Sequence, residues 1–277
     1  MMEIMNKLDV ARCTYSPLAR EVVVQAVKSW KRVCELPRDV RQSFPYSADQ
    51  KNSGVGYELK LTQGTTLDVK EDMHINLEWR DRLLVCADSV GDEGVFRDFI
   101  ENSLKIPEAI KPLVLEYARK VEVEHSLPGF AEDVENSMST WMVRFLHYFG
   151  DRNIGDEVAV PHADKGGFTA HLYESHPGLQ YLDEERNWKD VLISTDETVI
   201  LPGLALQHKT HNEKTAVYHR VVATEETAVS GRFSAVCFID MGNSKYFNKA
   251  KYGRIQDFPV AFNYEISFED LDKYFAQ

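Results

Sequence analysis

Cysteine is scarce in this chain. Four occur in 277 residues (Cys13, Cys34, Cys86 and Cys237), and no two form a CxxC pair. That excludes a disulfide framework or a zinc knuckle and suits thiols kept reduced in a cytoplasm. An excess of positive charge is also missing. Lys and Arg total 32 against 44 Asp and Glu, a formal net charge of −12. Nucleic-acid phosphates and anionic lipid surfaces both require a basic footprint, so neither is an expected partner. Long apolar runs are absent too. "VILPGLAL" is broken by Pro202 and Gly203, and "MMEIMNKLDVARC" has no continuous apolar segment of the kind a signal peptide carries. Internal repeats and low-complexity tracts are not found. The expectation is a cytoplasmic protein, a monomer or weak homo-oligomer, whose partner is a small molecule.

The residues that are present describe an ordinary globular chain, 43% hydrophobic, 27% charged and 11% aromatic. "SPLAREVVVQAVKSWKRVCEL" predicts a helix from Ser16 to Leu36, with Ser16 as N-cap and Pro17 in the first turn. Leu18, Val22, Ala26, Trp30 and Val33 recur along one helical face. "LPRDVRQSF" starts a short helix, and "YSADQKNSGVGYELK" is a polar loop running into a strand. A further helical region spans Glu93 to Ser126, restarted by the prolines of "IPEAIKPLVLEYARKVEVEHS". From Met138 the pattern changes to short apolar or alternating runs, among them "MSTWMVRFLHYF", "DEVAVPHAD", "GFTAHLYE", "ETVILP", "LALQHKT", "TAVYHRVVAT" and "RFSAVCFIDM". Strands at such intervals predict a sandwich or closed barrel. The expected fold is mainly β with α: a jelly roll over residues 136–277, with a helical region and minor-sheet strands (1–135) packed on it as one unit.

"VPHADKGGF" places His162 and Asp164 two positions apart, on one face of a strand. An imidazole and a carboxylate on one face are two ligands of a metal site or a hydrogen-bonded pair. A third ligand would come from a later strand, where His171, His176, His208, His211 and His219 are available. In "TAVYHRVVA", Val217, His219 and Val221 share a face, so His219 looks inward as a ligand or a satisfied core histidine. His208 and His211 sit beside a polar turn. In "GRFSAVCF", Arg232 and Ser234 share a face of an otherwise apolar strand. A guanidinium there needs an anion, either a bound carboxylate or an internal acid.

Together, HxD, the "GLQ" strand, "NWKDV", "YHRVV" and "GRFS" resemble the iron- and 2-oxoglutarate-dependent oxygenases of the isopenicillin N synthase-like group. "SWKRVCELPRDVRQSF", "GVGYELK" and "DVKEDMHI" resemble its N-terminal half. The resemblance implies a double-stranded β-helix with Fe(II) held by His162, Asp164 and His219, and with 2-oxoglutarate and O2 as cosubstrates. Ascorbate would be a supporting reductant. The far carboxylate of 2-oxoglutarate would rest on Arg232 and Ser234, with Tyr148 adding a hydrogen bond. Leu146 stands where many relatives have Asn, and Arg144 shares its face. Leu146, Tyr57, Lys165 and His171 are the residues expected near the substrate, and no catalytic residue is expected beyond the metal centre. Asp164 separates the chain from the related halogenases, which lack this carboxylate. The implied reaction couples oxidative decarboxylation of 2-oxoglutarate to hydroxylation, desaturation or cyclisation of a small metabolite.

Plant-type members begin with a strand and a "GFF…NHG" segment, and no equivalent is found ahead of Trp30, so part of the minor sheet and one pocket wall would be absent or rebuilt. Two other readings stand beside this one. One is an iron oxidase that needs no 2-oxoglutarate, like isopenicillin N synthase or aminocyclopropane carboxylate oxidase. The other is a non-catalytic jelly-roll binding protein. Zinc hydrolysis has no HExxH to support it.

Overall fold

The computed structural model describes residues 3–5, 10–46, 54–61, 69–242, 246–247 and 275–276. Two strands, β1 (Glu3–Met5) and β2 (Val10–Thr14), lead to helix α1 (Pro17–Glu35). Ser16 caps α1 as its sequence predicts, its Oγ accepting the Ala19 N–H at 3.2 Å. The buried stripe is Ala19, Val23, Ala26, Val27, Trp30 and Val33, rotated from the expected one, and Leu18 is 69% exposed. Leu18 lies on the helix face opposite the buried Ala19 and Val23.

After α2 (Arg38–Gln42) come strands β3 (Gly56–Lys60) and β4 (Lys70–Ile75), then helices α3 (Arg80–Ser89), α4 (Val95–Ser103), α5 (Ile106–Glu124) and α6 (Phe130–Asn136). The rest of the order is β5 (Met142–Tyr148), β6 (Glu157–His162), β7 (Phe168–Glu174), β8 (Leu179–Leu182), β9 (Trp188–Asp190), β10 (Glu197–Pro202), α7 (Leu204–Lys209), β11 (His219–Val222), α8 (Glu225–Ser230) and β12 (Arg232–Ile239).

An eight-stranded sheet runs β1-β2-β10-β7-β12-β5-β4-β3, and a four-stranded sheet runs β6-β11-β8-β9. Every pairing within them is antiparallel. Two antiparallel sheets facing one another with this interleaved order form a double-stranded β-helix, a jelly roll. The large sheet separates two cores. On its outer face Trp30 of α1, Phe99 of α4 and Phe145 of β5 pack in sequence, tilted and then edge-to-face, with centroids 5.3 and 4.9 Å apart. Between the sheets lie Leu146, Leu179, Val199, Val217, Val221 and Val236.

Two expectations need correction. "LALQHKT" forms helix α7, not a strand. Pro202 and Gly203 end β10, and the freed N–H groups of Leu204 and Ala205 bond to the carbonyls of Asp164 and Lys165 instead of a strand partner. A strand does precede α1. Within "ARCTYSPLAR", residues Ala11 to Thr14 belong to β2, which pairs with β10 at the edge of the large sheet.

Tyr57 is also elsewhere than expected. Its cross-strand partner Met73 and the adjacent Glu71 belong to the helix-facing side of the sheet. There the Tyr57 hydroxyl donates to Glu71 at 2.7 Å. Glu71 has no exposed surface and also receives Arg41 and His147, each at 2.8 Å. Burial works against its charge, but His147, Tyr57 and Arg41 outweigh it and hold the carboxyl below its usual range. A depressed carboxylate stabilises the fold above its unfolded value, near 4.5, and that contribution disappears as pH falls through the folded value. Glu71→Ala should destabilise the protein by about 3–5 kcal/mol, since Arg41 loses its buried partner. Denaturant titration at neutral pH measures this. At a pH below the folded value of Glu71 the gap between variant and wild type should narrow.

Candidate metal centre

His162 ends β6 and His219 begins β11, and the two are directly opposed across the small sheet. Their ring centroids are 4.5 Å apart. Val217 and Val221 flank His219 on the interior face, as alternation predicts, and both are buried. Arg220 turns outward to Glu157 at 2.7 Å. Asp164 lies just past the end of β6, in the turn to β7, so that turn and not strand alternation aims its carboxylate.

The hydrogen bonds fix which atoms converge. His162 Nδ1 is 2.7 Å from the Val160 carbonyl, and His219 Nδ1 is 3.0 Å from the Val217 carbonyl. A carbonyl oxygen only accepts, so each Nδ1 carries the proton and each Nε2 presents a lone pair. These Nε2 atoms lie 3.6 and 4.0 Å from the two carboxylate oxygens of Asp164, beyond hydrogen-bond range. Burial, and then the neighbouring His219, push the His162 pKa down to about 4, so the ring is neutral at physiological pH. Burial disfavours the charge on Asp164, but His219, His162 and Thr169 together keep it below the usual carboxylate range. Two imidazoles and a carboxylate, with no hydrogen bond between them, suit a divalent metal ion.

Thr169 on β7 holds Asp164 in place, its Oγ1 donating to Oδ2 at 2.5 Å. Gly203 holds the turn from the other side. Its N–H bonds the Gly167 carbonyl, Leu204 N–H bonds the Asp164 carbonyl, and a Cβ on Gly203 would collide with the Gly166 oxygen. A partner behind a ligand is typically worth about 10–100-fold in metal affinity. Thr169→Val should therefore weaken Fe(II) binding by roughly that factor without removing it. Anaerobic metal titration tests this, and an unchanged affinity would refute the role of Thr169.

Further along the interior, Arg232 and Ser234 project from β12, facing Tyr148 and Leu146 of β5. Arg232 is buried. Its Nε donates to the His176 carbonyl at 3.0 Å, and its Nη2 meets Glu174 at 2.5 Å. The internal acid weighed as an alternative from sequence is therefore present. Nη1 has no partner, and neither does His171 Nε2, which is 3.6 Å from Glu174. Burial alone would raise the pKa of Glu174, but His171 and Arg232 hold it down. Two buried donor-capable atoms without partners, beside the Ser234 hydroxyl, make a place for an anion.

His171 is thus interior and near the metal cluster, and Leu146 lines the same cavity wall. Lys165 follows Asp164 in the turn, and its carbonyl receives the Ala205 N–H at 3.2 Å. His208 and His211 lie in and just after α7, apart from the cluster. Sequence alternation did not reveal Glu174. A β-bulge near Leu172 shifts the register, so Glu174 faces the interior where simple alternation points Tyr173.

The double-stranded β-helix thus brings an HxD turn, a distant strand histidine and a buried arginine to one interior. Residues 141–241 match the family model of the 2OG-Fe(II) oxygenase superfamily. Its members use Fe(II), 2-oxoglutarate and O2.

Solved structures share the fold at low identity. A Caulobacter crescentus protein of the 2OG-Fe(II) oxygenase family is 20% identical with TM-score 0.69, covering 95% of this chain and 88% of its own. A full-length Neurospora crassa protein, in complex with alpha-KG and thymine, is 17% identical with TM-score 0.67, covering 94% and 84%. Arabidopsis thaliana dioxygenase for auxin oxidation 1, bound to 2-oxoglutarate, is 15% identical with TM-score 0.62, covering 80% and 79%. None of the curated protein sequences matches the chain. Among the described residues, no helix is long and apolar enough to cross a membrane.

Proposed function

We propose that the protein is an Fe(II)- and 2-oxoglutarate-dependent oxygenase that oxidises a small molecule. The observation that carries this reading is the convergence of two Nε2 lone pairs on Asp164, each imidazole fixed by a backbone carbonyl behind it. His162, Asp164 and His219 would hold Fe(II), leaving positions open for the oxo acid and O2. The bound metal supplies the activation of O2 that is coupled to decarboxylation of 2-oxoglutarate.

The chain's own residues do the rest. His162 stays neutral, Thr169 fixes Asp164, and Arg232 Nη1 with the Ser234 hydroxyl takes the far carboxylate. Tyr148 faces Arg232 across the strands and completes that end. The wall of Val217, Val221 and Leu179 keeps water from the reacting centre. Residues 1–135 and 136–277 act as one unit in this reading, because β4 of the first pairs along its length with β5 of the second. Thymine, the small molecule in the Neurospora crassa complex, supports a metabolite-sized acceptor, and a net charge of −12 speaks against nucleic acid.

One observation favours the oxidase that needs no oxo acid: Glu174 already supplies Arg232 with a carboxylate. Anaerobic addition of Fe(II) and 2-oxoglutarate should give the weak visible charge-transfer band of a chelated oxo acid. Admission of O2 should then release succinate. Substrate oxidation without any oxo acid would instead support the oxidase.

A further inference from the structure

Arg144 has no part in the chemistry above. It projects from β5 into the same interior as Leu146 and Tyr148, opposite His74 on β4 and Val236 on β12. Its guanidinium lies over the Phe238 ring, 4.7 Å from the centroid. The acids nearby are already engaged. Asp72 meets His74 Nε2 at 2.7 Å and Lys60 at 3.4 Å, and Glu58 meets Lys60 at 3.1 Å.

Arg144 Nε is buried without a hydrogen-bond partner, and so is Nδ1 of His74, a side chain only 2% exposed. Arg144 is half-buried and acts electrostatically on Asp72, but among the described residues no carboxylate hydrogen-bonds its guanidinium, which points to a ligand that completes it. Arg144 also acts electrostatically on Asp164, so the position borders the metal centre. Burial, and then Arg144, depress the basicity of His74. Its neutral ring donates the Nε2 hydrogen bond to Asp72 and leaves a buried lone pair at Nδ1. Facing strands therefore offer a charged donor fork beside a single acceptor.

Glu58, Asp72 and His74 bring donor atoms within 4.8 Å of one another, as a metal site would. However, the Lys60 ammonium already bridges the two carboxylates, and the Arg144 guanidinium stands close by, so a second cation is disfavoured.

We propose that Arg144 and His74 recognise the substrate, a small organic carboxylate bearing an N–H or O–H donor one or two bonds from the charged group. The carboxylate sits on Arg144 and the neighbouring donor bonds His74 Nδ1. Calling this ligand the substrate rests on the oxygenase reading, while the anion site itself does not.

Three probes separate the contacts: hippurate, its neutral amide hippuramide, and N-methylhippurate, which lacks the N–H. Calorimetry on the full-length protein, with and without Fe(II) and excess 2-oxoglutarate under anaerobic conditions, should show hippurate binding at least about tenfold tighter than either analogue. Excess 2-oxoglutarate should not displace it. Arg144→Gln should erase the preference for acid over amide, and Arg144→Lys should restore part of it. His74→Phe should erase only the preference for N–H over N-methyl. Equal binding of acid and amide, no binding of any probe at millimolar concentration, or an Arg144→Gln protein that still prefers the acid would overturn the proposal. Intact hippurate selectivity in a protein that binds neither Fe(II) nor 2-oxoglutarate would remove the oxygenase reading and leave the anion site standing.

Discussion

Asp164→Ala protein should fold, bind Fe(II) far more weakly than wild type, and release no succinate. Asp164 supplies the one negative charge among the three converging donors, and it faces both imidazoles at 3.6 and 4.0 Å. Its loss leaves two imidazole rings and a cavity. The cost should exceed the 10–100-fold that removal of an outer partner typically produces. The fold should persist because the turn is held through backbone atoms, the Asp164 carbonyl receiving Leu204 N–H at 2.8 Å. Metal titration and circular dichroism on one sample distinguish the two effects. An Asp164→Ala protein that turns over at the wild-type rate would place the metal elsewhere.

The second large effect belongs to Arg232, and it acts on two properties together. If Arg232 holds the far carboxylate as proposed, truncation to alanine removes a charge-assisted contact, which typically costs about 2–5 kcal/mol, or roughly 30-fold to several-thousand-fold in affinity. It also strands Glu174, buried and ionised, which should destabilise the fold by about 3–5 kcal/mol. Glu174→Gln separates the two. It removes the internal competitor while leaving Arg232 free, so 2-oxoglutarate should bind more tightly. Arg232→Ala combined with Glu174→Gln should recover stability but not affinity. If Glu174→Gln weakens 2-oxoglutarate binding, Glu174 orients Arg232 and does not compete for it. If neither change alters binding, Arg232 is only half of an internal ion pair.

How much of this was legible in the sequence depends on the range of the interaction concerned. The α1 cap, the inward face of His219 and the shared face of Arg232 and Ser234 follow from local spacing, and the structure has all three. The pairing of Arg232 with Glu174 is not local. It needs the bulge in β7, which no alternation pattern displays. Tyr57 failed for a related reason: "GYELK" alternates, but which of its two faces looks inward is set by β4 beyond it. The signal for Arg144 and His74 was available. "KEDMHI" puts Lys70, Asp72 and His74 on one face of a strand in which every residue is buried, and charged groups on a buried face imply a partner. The helix α7 was hidden because "LALQHKT" is short and apolar, a pattern that strands and helices share.

The large sheet takes its edges from the start of the chain. β2 closes one side against β10, and β4 with β3 closes the other against β5. Strands close in space thus come from opposite ends of a long polypeptide, so the native topology is rich in non-local pairings and should form slowly. It also resists dissection. A fragment limited to residues 141–241 would bare the backbone of β10 on one flank and β5 on the other. Two such unsatisfied flanks recruit further strands from neighbouring molecules. The segment cut to that boundary should therefore aggregate, whereas in the full chain β2 and β4 cover those two flanks.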